Sequence, residues 1–509
     1  MKKFLIFVIL YLVPYSIFAQ ITLMGKHIDD YVTECMTRWN IPGVSIAVIE
    51  NGQVSYVKGY GVRELGKPEK VDENTIFAVA SNTKAFTGTS IAILESEGKL
   101  NIDDRVSKYI PGIRFNNPIT TEMLSIKDVL THRVGLGTFQ GDFITWGTNL
   151  SAAELVNNLQ YIKPVYDYRN GYGYFNSGYV IAGEIIMQVS GKFWADYVKE
   201  KLTDPLGMTR TSLSEKDLKS FDNIVTPHTV NYDYNMTPIP WRNSDNLGPA
   251  ASINSSAVDM AKWVMMQINE GKFEDKEIIS KKVLLRTHTP FNLISVPSHG
   301  TGNLANRHFR TYGLGWGISD FKGSLFIEHS GGYDGMVSRT AFLPDKKFGL
   351  VILTNNDQNE LITSLMYQLF DYALGTEKFN WDSLIFVNTV KDGINPDKAV
   401  WDEIRDKKDP NLKPSFEMTE LAGTYFNEQA GMLKVIKEGS EYNVSISTRP
   451  GMKGILRHWR NDTLICKFDD LVVGRCLAPV EAKAGKIVMI KIKAADFIDP
   501  LYYEFRKSE

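Results

Sequence analysis

Two strand pairs at opposite ends of residues 20–375 constrain this chain more than any other feature. Val44–Ile49 alternates β-branched and small residues, then meets Asn51-Gly52 and the run Gln53–Val57. This is the pattern of a hairpin closed by an Asn-Gly turn. Far downstream, Thr340–Leu343 and Gly349–Thr354 flank Pro344-Asp345-Lys346-Lys347 and form a second such pair. Between them lie helix-like stretches, Ser81–Glu97 stopped by Gly98 and Ala257–Glu270 stopped by Gly271. One sheet must therefore take strands from both ends of the segment, with helices inserted between. The expected class is α+β: an antiparallel sheet flanked by helices with an inserted helical region.

The remaining chain divides by pattern. At 509 residues the sequence is too long for one domain of ~100–200 residues. Residues 376–415 are rich in Asp, Lys, Asn and Pro and are expected to be a linker with a short helix near Val400. Residues 416–509 show short alternating segments separated by turn signals, expected as a small all-β barrel. Met1–Ala19 places two lysines before an apolar run, then Pro14 and a small residue at Ala19. That order predicts a cleaved signal peptide and a periplasmic or secreted protein. The run is too short for the ~20 residues of a membrane span, so no stable membrane insertion is expected. A formal net charge of −2 supplies no basic footprint for nucleic acid. Three cysteines are too few for a disulfide framework; Cys466 and Cys476 flank a hairpin-like stretch and either pair or stay as thiols.

Three short motifs carry chemistry. Ser81-Asn82-Thr83-Lys84 opens an apolar helix, and the i, i+3 spacing puts Ser81 and Lys84 on one face. A serine hydroxyl becomes a useful nucleophile only when a neighbouring base takes its proton, and a lysine with a lowered pKa can do so. Tyr174-Phe175-Asn176 precedes a second apolar helix and offers a phenol for proton transfer and an amide for orientation; the same stretch also reads as a helix cap using Asn176 or Ser177. His329-Ser330-Gly331-Gly332 lies in a Gly-rich strand, where a ligand can approach the backbone closely. His132 and His228 lack metal-ligand spacing and are expected to hold loops; no metal or other cofactor is called for.

Taken in order, these motifs resemble the serine β-lactamase and penicillin-binding family, in particular its class C-like branch of esterases and D-aminopeptidases. Leu130–Leu136, Tyr312–Trp316 and Phe342–Asp345 add to the resemblance, and the tail from Leu421 is similar to a lipocalin-like barrel appended to such hydrolases. The resemblance implies that Ser81 is acylated, that Lys84 assists its deprotonation, and that Tyr174 is a shared general base and leaving-group acid. It further implies that Asn176 binds substrate and orients Lys84, and that His329, Ser330, Gly331 and Gly332 form the substrate-binding edge. The N–H groups of Ser81 and Gly332 would form an oxyanion hole.

One departure is informative. The family's lysine is replaced by His329, which is mostly neutral near pH 7, so a substrate carboxylate is held less well. Trp146, Phe175 and Trp241 are expected to wall an aromatic cleft. The expectation is an exported serine hydrolase, or an acyltransferase, acting on a small-molecule or peptide ester or amide, with weak or no β-lactamase activity. The competing reading is a catalytically silent penicillin-binding-like sensor.

Overall fold

The structure is a computed structural model and describes residues 25–295, 305, 307–376, 379–391, 396–409 and 411–508. The expected signal segment falls outside them. The main sheet is antiparallel and has eight strands: Gly43–Glu50 (β1), Gln53–Gly61 (β2), Asn292–Ile294 (β3), Arg310–Tyr312 (β4), Gly317–Phe321 (β5), Ser324–Tyr333 (β6), Met336–Leu343 (β7) and Phe348–Thr354 (β8). Their spatial order is β3-β4-β5-β6-β7-β8-β1-β2. The two ends of the segment meet at β1 and β8, where Val44 faces Thr354 and Ile49 faces Gly349.

The period of two along these strands decides which layer each residue serves. Val44, Ile46 and Val48 pack with Leu350 and Ile352 against the helix over residues 25–39 (α1) and Leu361–Leu374. Ala47 and Ile49 face the other layer, which holds helices Thr83–Ser96 (α2), Asn176–Ser190 (α3) and Ala257–Ile268 (α4). Both faces are covered, which explains why β1 is apolar almost throughout.

The C-terminal strands close an eight-stranded barrel, with Tyr425 and Phe426 of the first strand paired to Lys507 and Arg506 of the last. Inward positions such as Leu433, Val444, Leu456, Phe468 and Phe505 are buried, so side chains fill the interior. Cys466 and Cys476 stand directly opposite each other on adjacent strands, as buried thiols.

Residues 376–415, expected as a linker, carry two helices, Trp381–Lys391 and Pro396–Asp406. The first docks on the hydrolase domain: Trp381 is buried beside Tyr367 and donates its indole N–H to Asp371 at 2.8 Å. The second docks on the barrel, where Trp459 donates to the Ile404 carbonyl at 2.7 Å. Few apolar residues suffice here because each helix is short and buries one tryptophan. Among the described residues, no helix is long and apolar enough to cross a membrane.

Candidate active site

A two-residue strand, Phe77–Ala78, leads into the turn Ala80–Asn82 that presents Ser81. Ala80 sits at φ 50°, a left-handed conformation that costs a non-glycine residue ~1 kcal/mol or more. The surroundings hold it there. Val79 donates to the Ile253 carbonyl at 3.0 Å, and its own carbonyl accepts from Ser338 Oγ at 2.8 Å and from Asn82 Nδ2 at 3.1 Å.

Helix α2 begins at Thr83 and carries Lys84 inward, where the residue has no exposed surface. Its Nζ meets three acceptors: Ser81 Oγ at 3.1 Å, Asn176 Oδ1 at 2.7 Å and the Ala250 carbonyl at 2.9 Å. Burial pushes the ammonium pKa down to about 7, while nearby Asp142 pulls it back up. The helix can sit this close to the sheet because small residues line the contact. A Cβ on Gly88 would lie 2.1 Å from the Leu314 carbonyl, and one on Gly315 would lie 2.3 Å from the Lys84 carbonyl.

Asn176 opens α3, whose N-cap position is Phe175 with no side-chain cap. The amide is therefore free for the site: Oδ1 accepts from Lys84, and Nδ2 donates to Asp142 Oδ2 at 2.6 Å. Tyr174 precedes it, with its ring 4.8 Å from Lys84 Nζ and its hydroxyl buried without a hydrogen-bond partner among the described residues. Burial raises its phenol well above the usual value. His132 holds this loop through Nδ1, which accepts from the Phe175 N–H at 3.0 Å. His228 likewise ties Leu65 N and the Asn355 carbonyl, each at 3.0 Å.

On the sheet edge, His329 is buried, with Nε2 2.8 Å from the Tyr312 hydroxyl and Nδ1 2.6 Å from the Ser330 carbonyl. A carbonyl at Nδ1 requires the proton on that nitrogen, leaving Nε2 to accept from Tyr312. Burial and the Lys84 charge lower its pKa to about 3, so the ring is neutral. Gly331 does not line the cleft; it lets β6 reach the nucleophile turn, since a Cβ there would meet the Val79 carbonyl at 2.2 Å. Gly332 does line the cleft, with open space beside it.

Ser81, Tyr174, Asn176, His329, Ser330, Gly332 and Trp146 thus border one cavity of about 630 Å³. Two expected cleft aromatics are elsewhere. Phe175 is buried against Phe115, because alternate residues of the loop point to opposite sides. Trp241 stands beside Tyr333, with its N–H bonded to the Val225 carbonyl at 2.8 Å, and packs a loop rather than lining the cavity.

Several lining residues went unnoticed in the sequence. Asp142 is the foremost; its only signal was a carboxylate set among Phe143, Ile144 and Trp146. Arg310 brings a positive charge, and Phe139 and Ile294 add apolar wall. Val472, Phe497 and Ile498 come from the barrel. The two domains are also joined beside the cleft by Arg242, which pairs with Asp334 of β6–β7 and at 2.7 Å with Asp470 of the barrel.

Comparison with known proteins places the chain in a family and a fold. The family model described as Beta-lactamase matches residues 28–369. The chain is 26% identical over 454 residues to the unguisins hydrolase ungD of Aspergillus violaceofuscus, covering 81% of this chain and 76% of that protein. It is 29% identical over 379 residues to protein flp of Staphylococcus aureus strain N315, covering 73% and 70%. The octameric penicillin-binding protein homologue from Pyrococcus abyssi superposes with a TM-score of 0.61 at 21% identity, over 94% of this chain and 99% of the other. A class C beta-lactamase gives 0.54 at 23% identity, over 66% and 92%. These two structures share the fold. With the family model spanning most of the chain, and a buried lysine bonded to a serine at the mouth of the cleft, the protein belongs to the beta-lactamase family of serine hydrolases.

Proposed function

We propose that this chain is an exported serine hydrolase that cleaves an ester or amide through an acyl-enzyme on Ser81. The observation that carries this reading is Lys84: fully buried, within hydrogen-bond reach of Ser81 Oγ, and with its pKa lowered to about 7. A lysine kept only for structure would gain nothing from being half neutral near pH 7, whereas a base must be neutral to act.

In the first step, neutral Lys84 takes the Ser81 hydroxyl proton as Oγ bonds to the substrate carbonyl carbon. The carbonyl electron pair moves to oxygen, which faces the N–H groups of Ser81 and Gly332; one such donor is worth ~2.7–4 kcal/mol. Collapse breaks the bond to the leaving alcohol or amine. That group takes a proton from the Tyr174 phenol, which is replenished from Lys84. Because Tyr174 is held neutral by burial, it suits the role of acid, and Lys84 suits the role of base. Water, deprotonated by the same pair, then releases the acid. An alcohol or amine in place of water would make the same intermediate serve acyl transfer.

The cleft favours a partly apolar ester or amide over a β-lactam: Arg310 puts a positive charge on its wall, but none stands at the position of His329. His329 is neutral where a cation would grip a carboxylate, and Glu328, ionised between Arg307 and Arg339, stands on the same wall. Phe139, Trp146, Ile294 and Phe497 supply apolar surface. A ligand-holding role for the barrel lacks support, because its interior is packed with side chains. The reading is tested by turnover of p-nitrophenyl esters, D-amino acid amides and penicillin by wild type and Ser81→Ala. Ester or amide turnover exceeding penicillin turnover, and lost in Ser81→Ala, is expected. Penicillin as the best substrate would overturn the specificity, and activity surviving in Ser81→Ala would overturn the mechanism.

A further inference from the structure

We propose that Asp142 is a positioning residue for the Asn176–Lys84 pair, and that the C-terminal barrel fixes it there through Asp499, making the barrel a working part of the active site. The inference rests on the acyl-enzyme reading above for its activity readouts.

The argument starts at the Asn176 amide. Its two ends are nearly the same size, so packing alone does not decide which one faces Lys84. An ammonium can only donate, so Lys84 needs the carbonyl end; a reversed amide would set NH2 against it. Asp142 Oδ2, 2.6 Å from Nδ2, presents an acceptor to the opposite end and so selects the productive orientation.

Asp142 itself sits in the turn Asp142–Ile144, entered through Gly141 at φ 93°. Within the hydrolase domain the turn is tied by the Asp142 N–H to the Phe139 carbonyl at 3.0 Å and by the Trp146 N–H to the Asp142 carbonyl at 2.8 Å, and the barrel adds side-chain anchors on both sides of Asp142. Asp499 Oδ2 accepts from the N–H groups on either side of Asp142, Gly141 at 3.1 Å and Phe143 at 3.0 Å. Asp499 is fully buried and is in turn held by the Tyr503 hydroxyl at 2.7 Å and the Leu501 N–H at 2.9 Å. Arg449 Nη2 of the barrel also donates to the carbonyls of Phe143 at 2.5 Å and Trp146 at 2.7 Å, with its guanidinium over the Phe143 ring. A barrel that merely adhered to its neighbour could do so with apolar contacts. Committing a buried carboxylate and a buried guanidinium to one turn is costly unless the position of that turn matters.

Charge gives the arrangement a second consequence. The titratable groups facing Asp142 are Lys84 from α2, Tyr174 from the loop before α3, and Asp499 and Tyr503 from the barrel. Burial and Asp499 raise the Asp142 carboxyl to about 8, so below that pH it is neutral and leaves the Lys84 amine easier to deprotonate.

The test uses the full-length protein with p-nitrophenyl acetate, comparing Asp142→Asn, Asp142→Ala and Asp499→Ala with wild type. Loss of an orienting partner behind an active-site group typically costs about 10–100-fold. Asp142→Ala and Asp499→Ala are expected to lose kcat in that range with little change in KM. Asp142→Asn, which keeps a side-chain carbonyl for Asn176 Nδ2, is expected to recover most of kcat and to leave the acidic limb of kcat/KM in place, because Asp142 is already neutral where Lys84 titrates. Unchanged kcat in Asp142→Ala, or equal losses of kcat in the Asn and Ala variants, would overturn the proposal.

Should wild type itself be inert, the acyl-enzyme reading fails, and Asp142 is read by melting temperature instead. A carboxyl raised in the folded state binds more protons than in the unfolded chain, so its contribution to stability is lost as pH rises between about 4 and 8. Wild type should then lose melting temperature across that range more steeply than Asp142→Asn. Parallel curves would overturn the proposal.

Discussion

Gly331→Ala tests the view that this glycine serves a close approach of backbone rather than the substrate. A Cβ at Gly331 would lie 2.2 Å from the Val79 carbonyl, 2.4 Å from Ser338 Oγ and 3.0 Å from Ala80 Cβ. Ordinary contact requires about 3.4 Å or more, so β6 and the nucleophile turn must part by about 1 Å. Two of the three obstacles cannot rotate away, because one is backbone and the other is a Cβ. Overpacking of this kind typically costs ~1–3 kcal/mol of stability. The same displacement separates the N–H of Gly332 from that of Ser81, and a 1 Å misplacement can cost about 100-fold in rate. Gly332→Ala is the control for stability, since a Cβ there meets nothing within 4 Å and the backbone is not left-handed. The assay is the second-order rate of Ser81 labelling by a fluorophosphonate, with melting temperature measured alongside. Gly331→Ala should label about 100-fold more slowly and melt lower, while Gly332→Ala melts within ~0.5 kcal/mol of wild type. Labelling of Gly331→Ala at the wild-type rate would refute the close-approach argument.

Labelling of Ser81 should rise about tenfold per pH unit below pH 7 and level off above it, because Lys84 must shed its proton to act and its pKa is lowered to about 7. A flat profile from pH 5 to 9 would contradict that base. The folded state also binds fewer protons than the unfolded chain at Lys84, so this residue's contribution to stability improves from about pH 7 towards 10.5; a Lys84→Met variant should remove that slope from the melting curve. Arg242→Met leaves the buried Asp334 carboxylate without its guanidinium and should cost ~3–5 kcal/mol, read by denaturant titration. Phe497→Ala should raise KM for bulky aryl esters without lowering the melting temperature, since Phe497 lines the cleft and is 63% exposed.

What could be read from sequence follows from the range over which each signal acts. The hairpin at Asn51-Gly52 and the alternation of β1 and β8 are local, and the structure joins them as one sheet. Ser81 and Lys84 are one helical turn apart, so their proximity needs no tertiary information. Tyr174 and Asn176 carried a recognisable spacing, although the capping alternative for Asn176 gave way to bonds with Lys84 and Asp142. Asp142 was invisible because its partner lies 34 positions away and its anchor lies on the barrel, 358 positions from Gly141. Phe175 and Trp241 were misplaced because composition cannot tell which side of a loop an aromatic ring faces. The helix Pro396–Asp406 stands where a short helix near Val400 is expected, whereas Trp381–Lys391 escapes the sequence because its buried residues, Trp381, Asp382 and Ile385, find their partners only in the hydrolase domain. The glycines Gly88 and Gly315 likewise gain meaning only from the neighbour that comes within reach.

The central claim is that Ser81 becomes covalently acylated with Lys84 as its base. Intact-mass analysis with peptide mapping after treatment with an aryl ester and with a fluorophosphonate addresses it directly. A single adduct on Ser81 in wild type, absent from Ser81→Ala and strongly reduced in Lys84→Met, is the predicted result. An adduct that persists in Ser81→Ala, or that forms in Lys84→Met as fast as in wild type, would contradict it.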